Sequence, residues 1–360
     1  MGELGALLAA AYLRERALLL LVLSIAALLA LSFLFAGYTV WLRVRHELRE
    51  RRWRQLTARW EAPLLDALLD PAAAPAVHAA VDRGERLRFV RFVLEYSRRV
   101  KGEERAFLRK LVLPYLDPIA ERAGSPRVEV RTRAIQTLGT LGLPRYAGEV
   151  LAALDDPSPL VAMVAARSLC REEYPEYAPA VLRRLGRFDA WSRSFMASML
   201  ASVGPEASRA LRDTLGDEAQ APLARAVAAD ALRMLKDFGS GDLAARIVEA
   251  EDDAELLAAA LRLLTTVGRP EHAELIRVRC ASPDFAVRAS AVSALGTLGL
   301  EDDHGRLLGA MSDASPWVAI QAARGLVSAG ARALLEDLGD SDHPRATLAR
   351  QILLEEGGEG

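Results

Sequence analysis

The chain has 360 residues, 51% apolar and 26% charged, with a formal net charge of −2. That is enough material for one extended domain or two compact ones. Residues 1–60 carry 9 basic and 4 acidic side chains, net +5, and the rest carries 37 against 44, net −7. An acidic body excludes nonspecific nucleic-acid binding, which needs a basic face.

After a short segment 1–16, Ala17–Leu42 runs 26 residues without a charged side chain. As a helix it would span ~39 Å, enough to cross a hydrocarbon core of ~30 Å with some tilt. Arg43, Arg45, Arg49, Arg51, Arg52, Arg54 and Arg59 follow, against only Arg14 and Arg16 on the other flank. Arginine beside a membrane-spanning segment stays on the cytoplasmic side. The expectation is a single-pass anchor in the inner membrane, N-terminus out, with the body in the cytoplasm. A cleaved signal peptide is the competing reading, with Leu34-Phe35-Ala36-Gly37 as a weak cleavage site. Its apolar core would run only about 7–15 residues.

Residues 43–70 predict a basic amphipathic helix. Trp41, Val44, Leu48, Trp53, Leu56, Trp60 and Leu64 form one stripe at helical spacing, opposite arginine and glutamate. The bland role is a surface or stalk helix whose Arg43, Arg45, Arg49, Arg51, Arg52 and Arg54 meet anionic headgroups, each worth ~1 kcal/mol. The sharper role is self-association or packing on a partner membrane protein; the stripe breaks heptad spacing at Leu48–Trp53, against a coiled coil. Pro63 would kink or end this helix. Asp70–Pro75 reads as a short linker, and two helices, 82–100 and 103–116, complete a linker-and-cap region over 71–124.

From residue 125 to 355 the chain repeats. Leu-Gly-Thr-Leu-Gly-Leu stands at 138–143 and again at 295–300, an offset of 157, five periods of about 31. A helix-centre leucine falls at Leu138, Leu169, Leu200, Leu232, Leu264, Leu295 and Leu326. A period in this range signals a solenoid of helical hairpins. Ser125-Pro126, Ser158-Pro159, Ser282-Pro283 and Ser315-Pro316 mark the starts of second helices, with serine as cap and proline in the first turn. Glycines 139, 142, 204, 239, 268, 296 and 299 are expected at helix ends. With no strand-like alternation, the fold class is all-α, ending in an acidic tail at 356–360.

The residues Leu154-Asp155-Asp156-Pro157-Ser158-Pro159, with Val161, Ala165, Ala166 and Leu169, resemble HEAT repeats, as do Ser282-Pro283, Val287-Arg288, Ala291 and Leu295-Gly296. The short period looks most like the subclass first noted in phycobilin lyases. The resemblance covers about 125–355, weakening at 185–270, and implies a scaffold or adaptor. It also implies an inter-repeat Asp/Arg ladder. Arg131, Arg193, Arg225 and Arg288 stand seven residues before a centre leucine, and Asp156 and Asp313 follow Arg131 and Arg288 by 25. As exposed pairs they would contribute ~0–1 kcal/mol each.

Catalytic chemistry is sparse. The histidines 46, 78, 272, 304 and 343 never fall at metal-ligand spacing, and Cys170 and Cys280 read as buried free thiols. Asp237-Phe238-Gly239 lacks the companion motifs of a kinase, and Asp302-Asp303-His304 and Glu251-Asp252-Asp253 read as helix starts. No catalytic, cofactor-binding or metal-binding residue is assigned. Trp191, Phe195 and Trp317, at the starts of second helices, are the candidate partner-binding anchors.

These observations predict a membrane-anchored cytoplasmic HEAT-type scaffold that engages membrane-associated proteins, with an envelope or polysaccharide-assembly enzyme as one target. A ligand-responsive sensor or transport-accessory subunit is the alternative. A bilin-lyase-like enzyme is disfavoured because no residue matches a catalytic position.

Overall fold

The computed structural model describes the backbone of residues 2–357 and the side chains of Leu28 and of residues 31–356. The anticipated N-terminal segment 1–16, half of the apolar run Ala17–Leu42 and the last residues of the acidic tail therefore fall outside the described side chains. Every regular element among the described residues is helical, and none of those helices is long and apolar enough to cross a membrane. The chain divides into two compact units, Met1–Tyr115 and Leu116–Gly360.

The first unit contains α1 (Gly2–Leu69), α2 (Ala74–Ala79), α3 (Arg86–Ser97) and α4 (Gly102–Val112). Its core is built on the lower half of the amphipathic stripe. Leu56, Trp60, Leu64 and Ala67 are buried, with Trp60 edge-on to Phe89 at 5.4 Å and its indole N–H donating to the Ala80 carbonyl at 3.1 Å. The stripe is therefore split. Residues 56–67 are covered by this unit's own helices, whereas Trp41, Val44 and Leu48 remain exposed. Residues 56–67 of the stripe thus belong to this unit's own core, and its upper half is exposed.

Two local expectations change. Pro63 lies inside α1 without ending it, because Trp60 and Leu64 clamp both sides of it into the core. The anticipated linker Asp70–Pro75 is helical: Asp70 accepts from the Ala72 amide at 2.9 Å and starts a turn over Pro71–Ala73 that runs into α2.

The second unit opens with α5 (Asp117–Ala120) and α6 (Val128–Thr137). Hairpins follow, each a first and a second helix: α7 (Ala147–Ala152) with α8 (Pro159–Leu169), α9 (Ala178–Leu182) with α10 (Arg193–Ala201), and α11 (Ser208–Gly216) with α12 (Pro222–Leu235). Then come α13 (Gly241–Ala250) with α14 (Ala254–Val267), α15 (Ala273–Arg279) with α16 (Phe285–Leu298), α17 (His304–Ala310) with α18 (Pro316–Ser328), and α19 (Arg332–Gly339) with α20 (Ala346–Gly357). The seven centre leucines sit in the second helices or, for Leu138, at the end of one, each no more than 1% exposed. One buried leucine per period is the core column of a solenoid.

From α10 to α18 the second helices pack closely on one another along the stack, while first helices touch their counterparts only sparsely. This unit therefore bends toward the second helices, which form its inner wall. Small residues permit the approach: Ala226, Ala229, Ala259, Ala260, Ala291, Ala294, Ala322 and Ala323 are all buried there.

One glycine of the repeated hexapeptide corrects the sequence reading. Gly296 lies within α16, and a Cβ there would stand 2.3 Å from the Gly325 Cα of α18. A Cβ on Gly139 would meet the Ser168 Cβ at 2.2 Å. Both contacts span 29 residues. Both glycines are crossing points between successive second helices; Gly296 is interior to its helix, whereas Gly139 lies in the turn that closes α6 and Gly299 ends α16, as expected. The same hexapeptide closes as a π-turn over Leu138–Gly142 but stays α-helical through Leu298 in its second copy.

The caps also differ from expectation. Neither Ser158 nor Ser315 caps its helix through the hydroxyl. Instead the Asp156 carboxylate accepts the Ser158 amide at 2.8 Å, and Asp313 accepts the Ser315 amide at 2.7 Å.

Gly296→Ala should lower the unfolding free energy by about 1–3 kcal/mol, as expected for overpacking. Gly305→Ala, in α17 with open space around it, should leave it unchanged or raise it by up to ~1 kcal/mol. Urea titration followed by circular dichroism measures both.

Candidate interaction surface

Two columns of side chains stand on the inner wall, two helical turns apart. The upper, nine residues before each centre leucine, reads Glu129, Leu160, Trp191, Leu223, Glu255, Ala286, Trp317; the lower, two before it, reads Gln136, Arg167, Ser198, Asp230, Arg262, Ser293, Arg324. Trp317 is 63% exposed and Leu160 49%. Trp191 and Phe195 are half-buried and stacked, ring centroids 5.7 Å apart, while neighbouring Phe188 is wholly buried. α10 starts at Arg193 with Ser192 as its cap, accepting from the Phe195 amide at 3.3 Å. Trp191 thus precedes the helix and lies against its first turn.

The middle of the wall holds a charge network. Asp230 on α12 is only 4% exposed. The Arg193 guanidinium approaches it from α10 at 2.8 Å, Arg262 from α14 at 3.3 Å, and Arg233 on its own helix at 3.8 Å. Arg193 also reaches Glu255 on α14 at 2.6 Å. Three guanidiniums and two carboxylates thus tie three consecutive second helices together.

Arg193 was expected in the ladder, and the structure places it here instead. The adjacent turn acid Asp217 is occupied within its own turn, accepting from the Ala219 amide and the Gln220 side chain. Arg225 keeps a ladder geometry with Glu251 at 2.9 Å and donates from Nε to the Leu215 carbonyl at 3.0 Å.

Arg131 and Arg288 have nearly identical surroundings 157 residues apart. Arg131 makes a two-pronged contact to Asp156 at 2.8 and 2.9 Å and donates to the Ser125 and Pro126 carbonyls. Arg288 does the same with Asp313 at 2.8 and 2.9 Å and with the Ser282 and Pro283 carbonyls. These pairs are largely covered, 13% and 10% exposed for the first, so their loss costs more than that of an exposed pair.

A second row, not anticipated, runs along the other edge of the stack, where second helices lead into the next first helices. Arg212 on α11 pairs with Asp237 at 2.8 Å, and Arg277 on α15 pairs with Asp303, itself 2% exposed, at 2.7 Å. Asp237 and Asp303 follow their arginines by 25 and 26 residues. The spacing recognised in the second helices, applied to the first, would have found this row. Asp237 of the Asp-Phe-Gly triplet is thereby a structural acid, and Phe238 is 72% exposed.

The remaining reactive side chains have quiet surroundings. Burial pushes the Cys170 thiol up to about 12, and the half-buried Cys280 to about 11, so neither is a thiolate near neutral pH. His272 accepts the Arg269 amide, and His78 bonds the Tyr115 hydroxyl at 2.7 Å. No three His, Cys, Asp or Glu side chains converge as a metal site among the described residues.

Residues 241–327 match the family of HEAT repeats. That segment carries HEAT repeats within a chain whose described elements are all helical. Among solved structures, the complex of CpcE and CpcF of phycocyanin lyase from Nostoc sp. PCC7120 is similar at 18% identity. That match covers 67% of this chain and 87% of that one, with a TM-score of 0.35. The karyopherin Kap121p is similar at 15% identity over 85% of this chain and 40% of its own length, with a TM-score of 0.41. An engineered protein is similar at 18% identity over 79% of this chain and 80% of that one, TM-score 0.28. No curated protein matches the sequence.

Two outcomes follow from the charge geometry. The carboxyls of Asp156, Asp303 and Asp313 are held below the usual range, first by hydrogen bonds from Arg131, Arg277 and Arg288. A depressed folded-state pKa contributes stability that is fully present above the unfolded value of ~3.9 and lost as pH falls through the folded one. The thermal midpoint should therefore hold from pH 7 to about 5 and fall below about 4. An Arg131→Met/Arg288→Met variant should show a shallower acid fall in the same melts. Asp230→Ala, which leaves three guanidiniums facing one another, should destabilise by about 1–3 kcal/mol in urea titration, with Arg262→Met partly restoring the loss.

Proposed function

We propose that this chain is a non-catalytic scaffold, anchored in the inner membrane through Ala17–Leu42, whose solenoid holds a membrane-associated protein on its cytoplasmic side. The observation that carries the interaction reading is the inner wall itself. Trp317 and Leu160 are exposed apolar side chains on rigid helices, with the stacked Trp191–Phe195 pair between them along the same column. Aromatic side chains on a rigid frame lose little entropy on binding and dominate interaction hot spots. Exposed Arg167 and Arg324 in the second column suit a partner segment that combines apolar and acidic residues.

The anchor reading is supported by the described part of the apolar run. Leu31, Phe33, Leu34 and Phe35 are 63–77% exposed on one helix, and Tyr38, Val40 and Trp41 continue the band at 52–61%. A continuous apolar band of this kind marks a membrane or protein contact. The arginine-rich segment after it sets the cytoplasmic orientation. Partner choice would then be limited to proteins at the same membrane, among which an envelope or polysaccharide-assembly enzyme is one target class.

The ligand-responsive alternative would want an enclosed, partly apolar pocket lined by second helices. A shallow depression of about 260 Å³, lined by Pro179, Leu182, Arg183, Ala210, Asp213 and Thr214, lies instead between the first helices α9 and α11. Its position lends that alternative no support.

Crosslinking and purification of the full-length protein from its own membrane should recover an integral membrane protein. A Trp191→Ala/Trp317→Ala variant should lose it at least tenfold while its thermal midpoint drops by no more than a few degrees. Recovery unchanged by the double variant would move the contact off the inner wall.

A further inference from the structure

The upper half of the α1 stripe, left uncovered by the fold, forms one side of a groove of about 480 Å³. Trp41, Val44, Arg45, Leu48, Arg49 and Arg52 come from α1, and Arg88 comes from α3. We propose that this groove binds the headgroup of an anionic phospholipid of the surrounding bilayer. The inference rests on the reading of Ala17–Leu42 as the membrane-seated segment.

The lining has four guanidiniums and no carboxylate. The nearby acids are committed elsewhere: Glu47 pairs with Arg51 at 2.7 Å and Glu50 with His46 at 3.0 Å. Among the described residues, none of Arg45, Arg49, Arg52 or Arg88 has a carboxylate partner. Arg45 instead lies over the Trp41 ring, 5.0 Å from its centroid. Four unneutralised guanidiniums facing one concavity repel one another, and a phosphodiester relieves that while accepting paired N–H donors.

The apolar part of the lining argues for a lipid over a free phosphate. Val44 and Leu48 are 51% and 61% exposed beside the arginines, placing a hydrocarbon surface where the glycerol and upper acyl chain of a lipid would lie. The order along α1 agrees. The exposed apolar band ends in the stacked pair Tyr38 and Trp41, centroids 6.0 Å apart, and tyrosine and tryptophan favour the membrane–water boundary. Arg45 and Arg49 then lie ~6 and ~12 Å further along the helix axis, at 1.5 Å per residue. The headgroup layer is ~5–8 Å deep on each side, so Arg45 lies within it and the long side chain of Arg49 can reach back to it. A zwitterionic choline lipid would bring its own cation against four guanidiniums, so the groove selects for net negative charge.

The discriminating residue is Arg88. It lies outside the amphipathic helix, so a diffuse attraction between a basic helix and a charged surface gives it no special weight. Arg43 and Arg54, by contrast, share the α1 sequence but project from the side opposite the groove at 100° per residue.

The test uses the full-length protein in neutral detergent micelles, titrated with dihexanoyl-phosphatidylglycerol or dihexanoyl-phosphatidylcholine and followed by calorimetry. The proposal expects saturable binding of the glycerol lipid, at least ~10-fold tighter than the choline lipid. Arg45→Gln/Arg49→Gln should weaken it at least ~10-fold, and Arg88→Gln alone should weaken it about threefold or more. Arg43→Gln/Arg54→Gln, an equal loss of charge, should leave it within a factor of about two. Helicity by circular dichroism confirms that each variant is folded. Equal affinity for both lipids, equal losses in the two double variants, or full competition by inorganic phosphate at matching concentration would each overturn the proposal. Flotation of the unaltered protein with neutral phosphatidylcholine vesicles tests the anchor separately, since that lipid makes no demand on the groove.

Discussion

None of the second helices from α10 to α18 can cover itself. Each carries an apolar surface wider than its own hairpin partner hides, and only the second helices before and after it complete the burial. The geometry of the repeat region follows from that dependence. Helices that must be covered on both sides by their own kind need small residues at the crossings, which is where Ala259, Ala291, Ala322 and the Gly296–Gly325 contact lie. The close inner row and looser outer row then bend the stack toward the second helices. The inner wall is a by-product of this packing before it is a binding surface.

Burial fixes that the helices stack but says little about their angular register, because alanine faces slide without large penalty. The arginine–aspartate rows supply the register. Arg131–Asp156 and Arg288–Asp313 stitch the edge where each first helix turns into its second, and Arg212–Asp237 and Arg277–Asp303 stitch the opposite edge. Asp156, Asp303 and Asp313 also serve their own loops, as when Asp303 accepts the Leu300 amide at 3.0 Å. A substitution there disturbs a turn and a neighbour together. At the middle of the wall, Asp230 and its arginines replace edge stitching with a network across three helices.

The amino-acid sequence disclosed the repeat well because one leucine per 31 or 32 residues must be buried, and burial at a fixed period leaves a mark that composition cannot blur. It disclosed Arg131–Asp156 and Arg288–Asp313 because their neighbourhoods are near copies. It misread Gly296, since a glycine at a helix crossing and one at a helix end look the same without the neighbouring helix. It missed Asp230, whose partners come from separate repeats, and gave Ser158 and Ser315 a hydroxyl cap that the structure does not use. The candidate surface was legible in part: Trp317 is exposed, Trp191 and Phe195 are half-covered, and Arg88 of the α1–α3 groove had no local signature.

The two units divide the proposed work by chemistry. The first joins an exposed apolar band and an aromatic pair on α1 to an arginine groove between α1 and α3, suited to a lipid surface. The second offers aromatics and arginines on a stiff frame whose reactive side chains are buried or paired, suited to holding another protein. The most direct test of that division places a photo-crosslinking residue at Trp317 or Arg167 on the inner wall, and at Arg209 or Arg246 on exposed positions of the first helices, in the full-length protein in its own membrane. The account predicts one and the same membrane-protein adduct from both inner positions and none from the outer two. Adducts of equal yield from both rows, or from the outer row alone, would contradict it.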